Sequence, residues 1–142
     1  MVKLSSFVIH TTQYIDFINI TREVESHVAK SGVKDGVVFV ITAHTTTGIA
    51  VNEALECLQS DMVDMMWRLI PEDHNYAHSR MLHSYGTTAG NPTGHLRSHL
   101  TGNHAVFPVQ GGKIIRGGAQ EIFLCEFDGA QSRKIFVQVI GE

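Results

Sequence analysis

The chain has 142 residues and little of what staples a fold or anchors it in a bilayer. Only two cysteines are present, Cys57 and Cys125, with no CxxC pair. That excludes zinc-ribbon and thioredoxin-type motifs and leaves two ordinary thiols. No apolar run exceeds Gly36 to Ala43, far short of the ~20 residues that span a bilayer. The first ten residues never build the continuous apolar stretch of a signal peptide, so a cytoplasmic, soluble chain with no membrane partner is expected. There is also no basic block: eleven Lys+Arg stand against fourteen Asp+Glu, for a formal net charge of −3. Nucleic acid and anionic membranes are therefore poor partners. At about 100–200 residues per domain, residues 1–142 make one domain. A chain of this length needs no disulfide or metal to hold its core.

What the sequence has in excess is histidine, nine in all. His74, His78, His83, His95, His99 and His104 crowd one region, while His44 stands apart at the end of an apolar segment.

Periodicity supplies the frame. Alternation predicts strands at 2–10 and 16–20, and Ile20, Val24 and Val28 at four-residue spacing predict a helix over 21–31, with Thr21 as N-cap and Gly32 closing it. Gly36 to Ala43 is β-branched and apolar at almost every position, the pattern of a central strand covered on both sides. A short strand at 49–51 follows. Asn52 then reads as the N-cap of the longest helix, an amphipathic core helix with a stripe of Leu55, Leu58, Met62, Met65, Met66, Leu69 and Ile70 ended by Pro71. Residues 72–94 form a long polar connection of the kind that is often functional. A short helix at 93–101 and strands at 104–109, 119–127 and 133–140 complete the chain. Strands at both ends with helices between them predict an α+β fold.

Several residues carry chemistry. Histidines from separate elements can converge on a divalent cation, zinc or magnesium foremost. The Thr45-Thr46-Thr47-Gly48 turn just beyond a strand end offers hydroxyls and amides to a phosphate. Lys113, Arg116 and Arg133 flank glycine turns and can supply positive charge. Asn52, Glu53 and Asp61 are the amide and carboxylates nearest His44 in sequence, and Asp61 borders the apolar stripe. A carboxylate there can orient a histidine or act as general base.

The ordered set His44-Thr-Thr-Thr-Gly-Ile-Ala-Val-Asn-Glu53, Asp61, Pro71, Tyr76-Ala77-His78, Asn91, His95-Leu96, Gly102 and Ile140-Gly141-Glu142 resembles the YjbQ family over essentially the whole chain. The resemblance implies a single-domain α+β fold containing a β-sandwich of mostly antiparallel strands with two to three helices, and a homotrimer built through its sheets. It also implies a weak thiamine-phosphate synthase activity, in which a hydroxymethylpyrimidine diphosphate joins a thiazole phosphate with loss of diphosphate. His44, His78 and His95 match the family's histidines and are the expected metal ligands. His44, Glu53 and Asp61 are the candidate catalytic residues, and Thr45, Thr46, Asn52, Asn91 and Arg133 the candidate substrate- or phosphate-binding ones. One stretch departs: Gly117-Gly118-Ala119-Gln120 stands where the family has Gly-Thr-Trp-Gln, and His104 replaces a serine.

The expectation is thus a metal-dependent enzyme acting on phosphorylated small molecules. The alternatives are a non-catalytic protein that binds a metal or metabolite, and a metal-dependent hydrolase.

Overall fold

A computed structural model describes residues 1–80 and 90–142. Its elements are β1 (Val2–His10), β2 (Asp16–Asn19), α1 (Thr21–Ser31), β3 (Gly36–Thr42), β4 (Thr47–Asn52), α2 (Glu56–Leu69), α3 (Ala77–Arg80), α4 (Pro92–Thr101), β5 (His104–Gln110), β6 (Lys113–Ile114), β7 (Glu121–Glu126) and β8 (Ser132–Gly141). A larger sheet runs β1-β8-β3-β5-β6 and a smaller one β2-β7-β4. All their pairings are antiparallel. The α+β architecture with two sheets is the expected one. The short α3, inside the long polar connection, and the two-residue β6 were not anticipated.

The two sheets face each other across the main core. Val38 and Val40 of β3, Phe107 and Val109 of β5, and Ile135, Val137 and Val139 of β8 meet Ile49 of β4 and Ile122 and Leu124 of β7, with Val24 and Val28 of α1 closing one side. Phe123 and Cys125 of β7 point the other way and, with Phe127 just beyond the strand, pack with Phe17 and with Met66 of α2. The strand buried on both faces is therefore β7, and burial pushes the Cys125 thiol up to about 12. For β3 the expectation is corrected. Val38, Val40 and Thr42 are buried, but Val37, Phe39 and Ile41 are only half-buried, because among the described residues no layer covers the outer face of the larger sheet.

Three further local expectations are corrected. The N-cap position of α1 is Ile20; Thr21 is already helical, and its hydroxyl accepts the Ile122 N–H at 2.9 Å, tying helix to sheet. Asn52 is the last residue of β4, not a cap, and its Oδ1 accepts the N–H of Glu53. Helix α2 is no core helix: only Met66 of the predicted stripe's helical part is buried, while Met65 is 40% and Leu69 61% exposed. The helix meets the outer face of the three-stranded sheet through Met66, Met62 and Val63 alone, a stripe narrower than the apolar face its sequence presents. The favourable Asp64–Arg68 pair does form, at 3.0 Å on the exposed side.

Helix α4 is seated closely. A Cβ on Gly94 would stand 3.1 Å from Phe127 O and 3.3 Å from Asp128 Cβ, and one on Gly48 would stand 2.6 Å from the Thr101 side chain. Glycine at both positions lets the helix lie directly on β4 and on the turn after β7. That seating brings His95 and His99 beside the end of β3.

Candidate functional site

Two adjoining cavities meet at His95. One, of about 590 Å³, is lined mainly by polar residues, His44, Thr45, His95, Ser98 and His99 among them, together with Thr42 and Ala43 at the end of β3. The other, of about 400 Å³, is mostly apolar, with His78 and His95 among Tyr76, Pro92 and Leu96. His44 and His78, far apart in sequence, thus each share a cavity wall with His95.

Their surroundings differ. His44 leaves β3 and reaches across to β8, where its Nε2 accepts the Lys134 N–H at 2.8 Å. Neutral His44 therefore carries its proton on Nδ1. Burial, and then the Arg133 guanidinium, hold its pKa below the ordinary imidazole value. The rings of His78 and His95 stand edge to face, 5.1 Å between centres. Nε2 of His78 is 3.2 Å from Asn91 Oδ1, and Asn91 Nδ2 donates to Asp128 Oδ2 at 2.8 Å.

The Thr turn is divided. Thr45 is exposed at the cavity, whereas Thr46 is buried and its hydroxyl accepts from Arg133 Nη2 at 2.8 Å. Arg133 lies beneath the turn, its Nε and Nη2 bonded to Glu126 at 2.8 and 2.6 Å, with Arg133 3% and Glu126 0% exposed. Burial alone would raise the Glu126 carboxyl; the bonds from Arg133, Thr11 and the Asp128 N–H overturn this and hold it below the usual carboxylate range. The guanidinium expected to meet a phosphate is thus engaged as a brace under the turn.

Asn52 and Glu53 are exposed at the far end of β4, about 17–20 Å of strand from the turn. Asp61 is exposed on α2. None of the three lines either cavity. Their nearness to His44 in sequence is undone by an extended strand that carries the chain away. His10 and His104 sit exposed beside Ser132 and Asn103, His27 bonds Ser5, and His83 lies outside the described residues.

Residues that motif reasoning passed over also shape the site. His99 shares a helix face with His95 at i,i+4 spacing, a signal present in the sequence, and lines the polar cavity. Arg97, fully buried on the opposite face of α4, bonds Glu72 at 2.8 Å and the Ile70 carbonyl at 2.8 Å and lies 5.0 Å from the centre of the Trp67 ring. Glu72 also accepts from Tyr14 and Thr93. Against the desolvation that raises it, these bonds lower its carboxyl, while burial raises the Tyr14 phenol. This network pins α4, and with it His95, to the end of α2.

A divalent ion can be tested against these side chains. His78 and His95 stand ring against ring at 5.1 Å between centres, an ordinary edge-to-face spacing and close enough for two imidazoles to share one ion. His44 does not complete a set, since the β8 backbone takes its Nε2. Among the described residues, no group of three His, Cys, Asp or Glu side chains is disposed to hold a metal. Of the three expected ligands, the described geometry thus sets His78 and His95 side by side and ties His44 to β8.

Residues 5–142 match the family model described as UPF0047 protein YjbQ-like. The chain belongs to this family. A UPF0047 protein of Archaeoglobus fulgidus is 35% identical over 92% of this chain and 95% of its own length. The UPF0047 protein YugU of Bacillus subtilis is 33% identical, covering 97% of this chain and 99% of its own. Among solved structures, a protein of unknown function from Sulfolobus solfataricus, described as YbjQ-like, superposes with a TM-score of 0.91 at 31% identity. That match covers 100% of this chain and 99% of the other. A YjbQ/UPF0047 family member from Clostridium acetobutylicum gives 0.86 at 32% identity, over 96% and 99%. The described residues thus have the family's fold, and no helix among them is long and apolar enough to cross a membrane.

Proposed function

We propose that the chain is an enzyme of phosphorylated small molecules, with a weak thiamine-phosphate synthase activity, working in the double cavity around His95. One observation carries this: a cavity that His44 and other polar residues line opens beside an apolar one with His78, and His95 stands in the wall of both. A ligand with a charged phosphate end and a compact ring fits such a division. The Nδ1–H of His44, the Thr45 hydroxyl and His99 meet the phosphate end. Tyr76, Pro92 and Leu96 exclude water around the ring. Arg133 does not touch the ligand; it stiffens the turn that presents Thr45.

His78 and His95 would hold a divalent ion, which when bound supplies charge neutralisation for a departing diphosphate. The chain's own contribution is to bind and align the reactants.

We further propose that the chain assembles as a homotrimer through the outer face of the larger sheet. Leu4, Phe39, Ile41, Phe136 and Ile140 leave there an apolar groove of about 380 Å³, and Leu4 is 63% exposed. An apolar sheet face of this kind is characteristic of an interaction surface.

Complementation tests the activity. The wild-type gene should restore growth of a thiamine auxotroph lacking its own synthase, and His95→Ala should not. If neither complements, and the purified protein turns over no phosphate ester, the enzyme assignment fails.

A further inference from the structure

Asn91 stands at the N-cap position of α4, where asparagine is among the most favoured residues, yet its side chain makes no capping bond. It is turned instead between His78 and Asp128. Forgoing a cap at such a position is the kind of local rule broken where another role competes. The direction of the amide follows from its partners. The Asp128 carboxylate accepts, so it draws the Asn91 NH₂ at 2.8 Å, and this turns Oδ1 to His78 Nε2 at 3.2 Å. A carbonyl oxygen only accepts, so the proton of His78 sits on Nε2 and the lone pair of its neutral form on Nδ1. Asp128 is itself fixed. Its N–H donates to the buried Glu126 carboxylate at 3.1 Å, and Gly94 leaves its Cβ just enough room against α4.

We infer that Asn91 and Asp128 are positioning residues that hold His78 as the Nε2–H tautomer, directing its Nδ1, which bonds none of the described residues, as the ligand or base of the site. This rests on the proposed function only in taking His78 as a working residue. It replaces the expectation that Asn91 contacts phosphate, and it gives a role to Asp128, which no sequence signal marked. Orienting partners of this kind fix both ring angle and basicity in histidine sites.

The test reads the tautomer directly, by nitrogen-15 NMR of the histidine rings in the intact protein without added ligand or metal. The expected result is a protonated, pyrrole-type Nε2 and an unprotonated, pyridine-type Nδ1 on His78. The Nε2 proton should exchange with water roughly tenfold more slowly than in Asn91→Ala or Asp128→Ala, the upper reach of one hydrogen bond. A pyridine-type Nε2 in the wild type overturns the inference, and so does an exchange rate that neither substitution changes. Should a variant fail to fold, the wild-type tautomer alone decides. Binding of a phosphate ester is measured separately, so a wrong tautomer with intact binding would sink this inference and spare the proposed function.

Discussion

Arg133 and Glu126 face each other in the protein interior, joined by two hydrogen bonds of 2.8 and 2.6 Å. Glu126→Gln leaves the buried guanidinium without a charged partner. We predict a loss of about 3–5 kcal/mol, as for other broken buried pairs, read from the urea midpoint. The double variant Arg133→Met/Glu126→Leu should lose less than the single one, because no charge is left stranded. Equal midpoints for wild type and Glu126→Gln would contradict the pairing.

Acid should undo the same brace. Both Glu126 and Glu72 have carboxyls lowered in the folded protein. The unfolded chain therefore binds protons first as pH falls. Their stabilisation is complete above the ordinary carboxylate value and drains away below it, between about pH 5 and the lower folded values. His44 adds a drain of the same sign starting nearer pH 6.5, since its folded pKa is lowered too. Urea midpoints measured across this range should fall steadily with pH. A flat profile would show that these groups titrate alike in both states.

Strand β8 lies between β1 and β3 and contributes Val137 and Val139, both buried, within its last residues. Deleting residues 137–142 removes the β8 partners of Val2–Ser5 and of Gly36–Val40, most of the ladder that β8 makes with β3. The truncated chain should be insoluble or unfolded by circular dichroism. A soluble, cooperatively unfolding truncation would be a contrary result.

Phe39 and Phe136 sit half-buried in the apolar groove of the larger sheet's outer face. Placing a charge there, as in Phe39→Glu, opposes association without touching the core on the other face. Light scattering coupled to size exclusion should report a trimer for the wild type and a monomer for the variant. A wild-type monomer, or a variant trimer, would remove the trimer proposal.

The sheet framework was legible because alternation and glycine turns mark strands directly, and β1, β5 and β8 fell close to their predicted places. Helix α2 misled for a physical reason. Its periodicity is real, but how much of an apolar stripe is buried depends on the width of the surface below it, which no local pattern records. At the site, His44, His78 and His95 were singled out by a matched motif, and two cavities set His44 and His78 each beside His95, whereas the roles of Asn52, Glu53 and Asp61 rest on closeness along the chain. An extended strand cancels such closeness. Arg133 looked like a free cation because its partner, Glu126, is brought to it only by the β7–β8 turn. The buried Arg97 and the anchoring Asp128 carry no sequence signal, since their meaning lies in where α4 lands.

The claim that a phosphorylated ligand occupies the cavity shared by His44 and His95 is tested most directly by titrating histidine-labelled protein with the thiazole phosphate and following its imidazole signals. We predict saturable shifts at His44 and His95, with binding weakened at least tenfold in His95→Ala. That factor corresponds to about 1.4 kcal/mol. Absence of any saturable shift, or binding that His44→Ala and His95→Ala leave unchanged, would contradict the account.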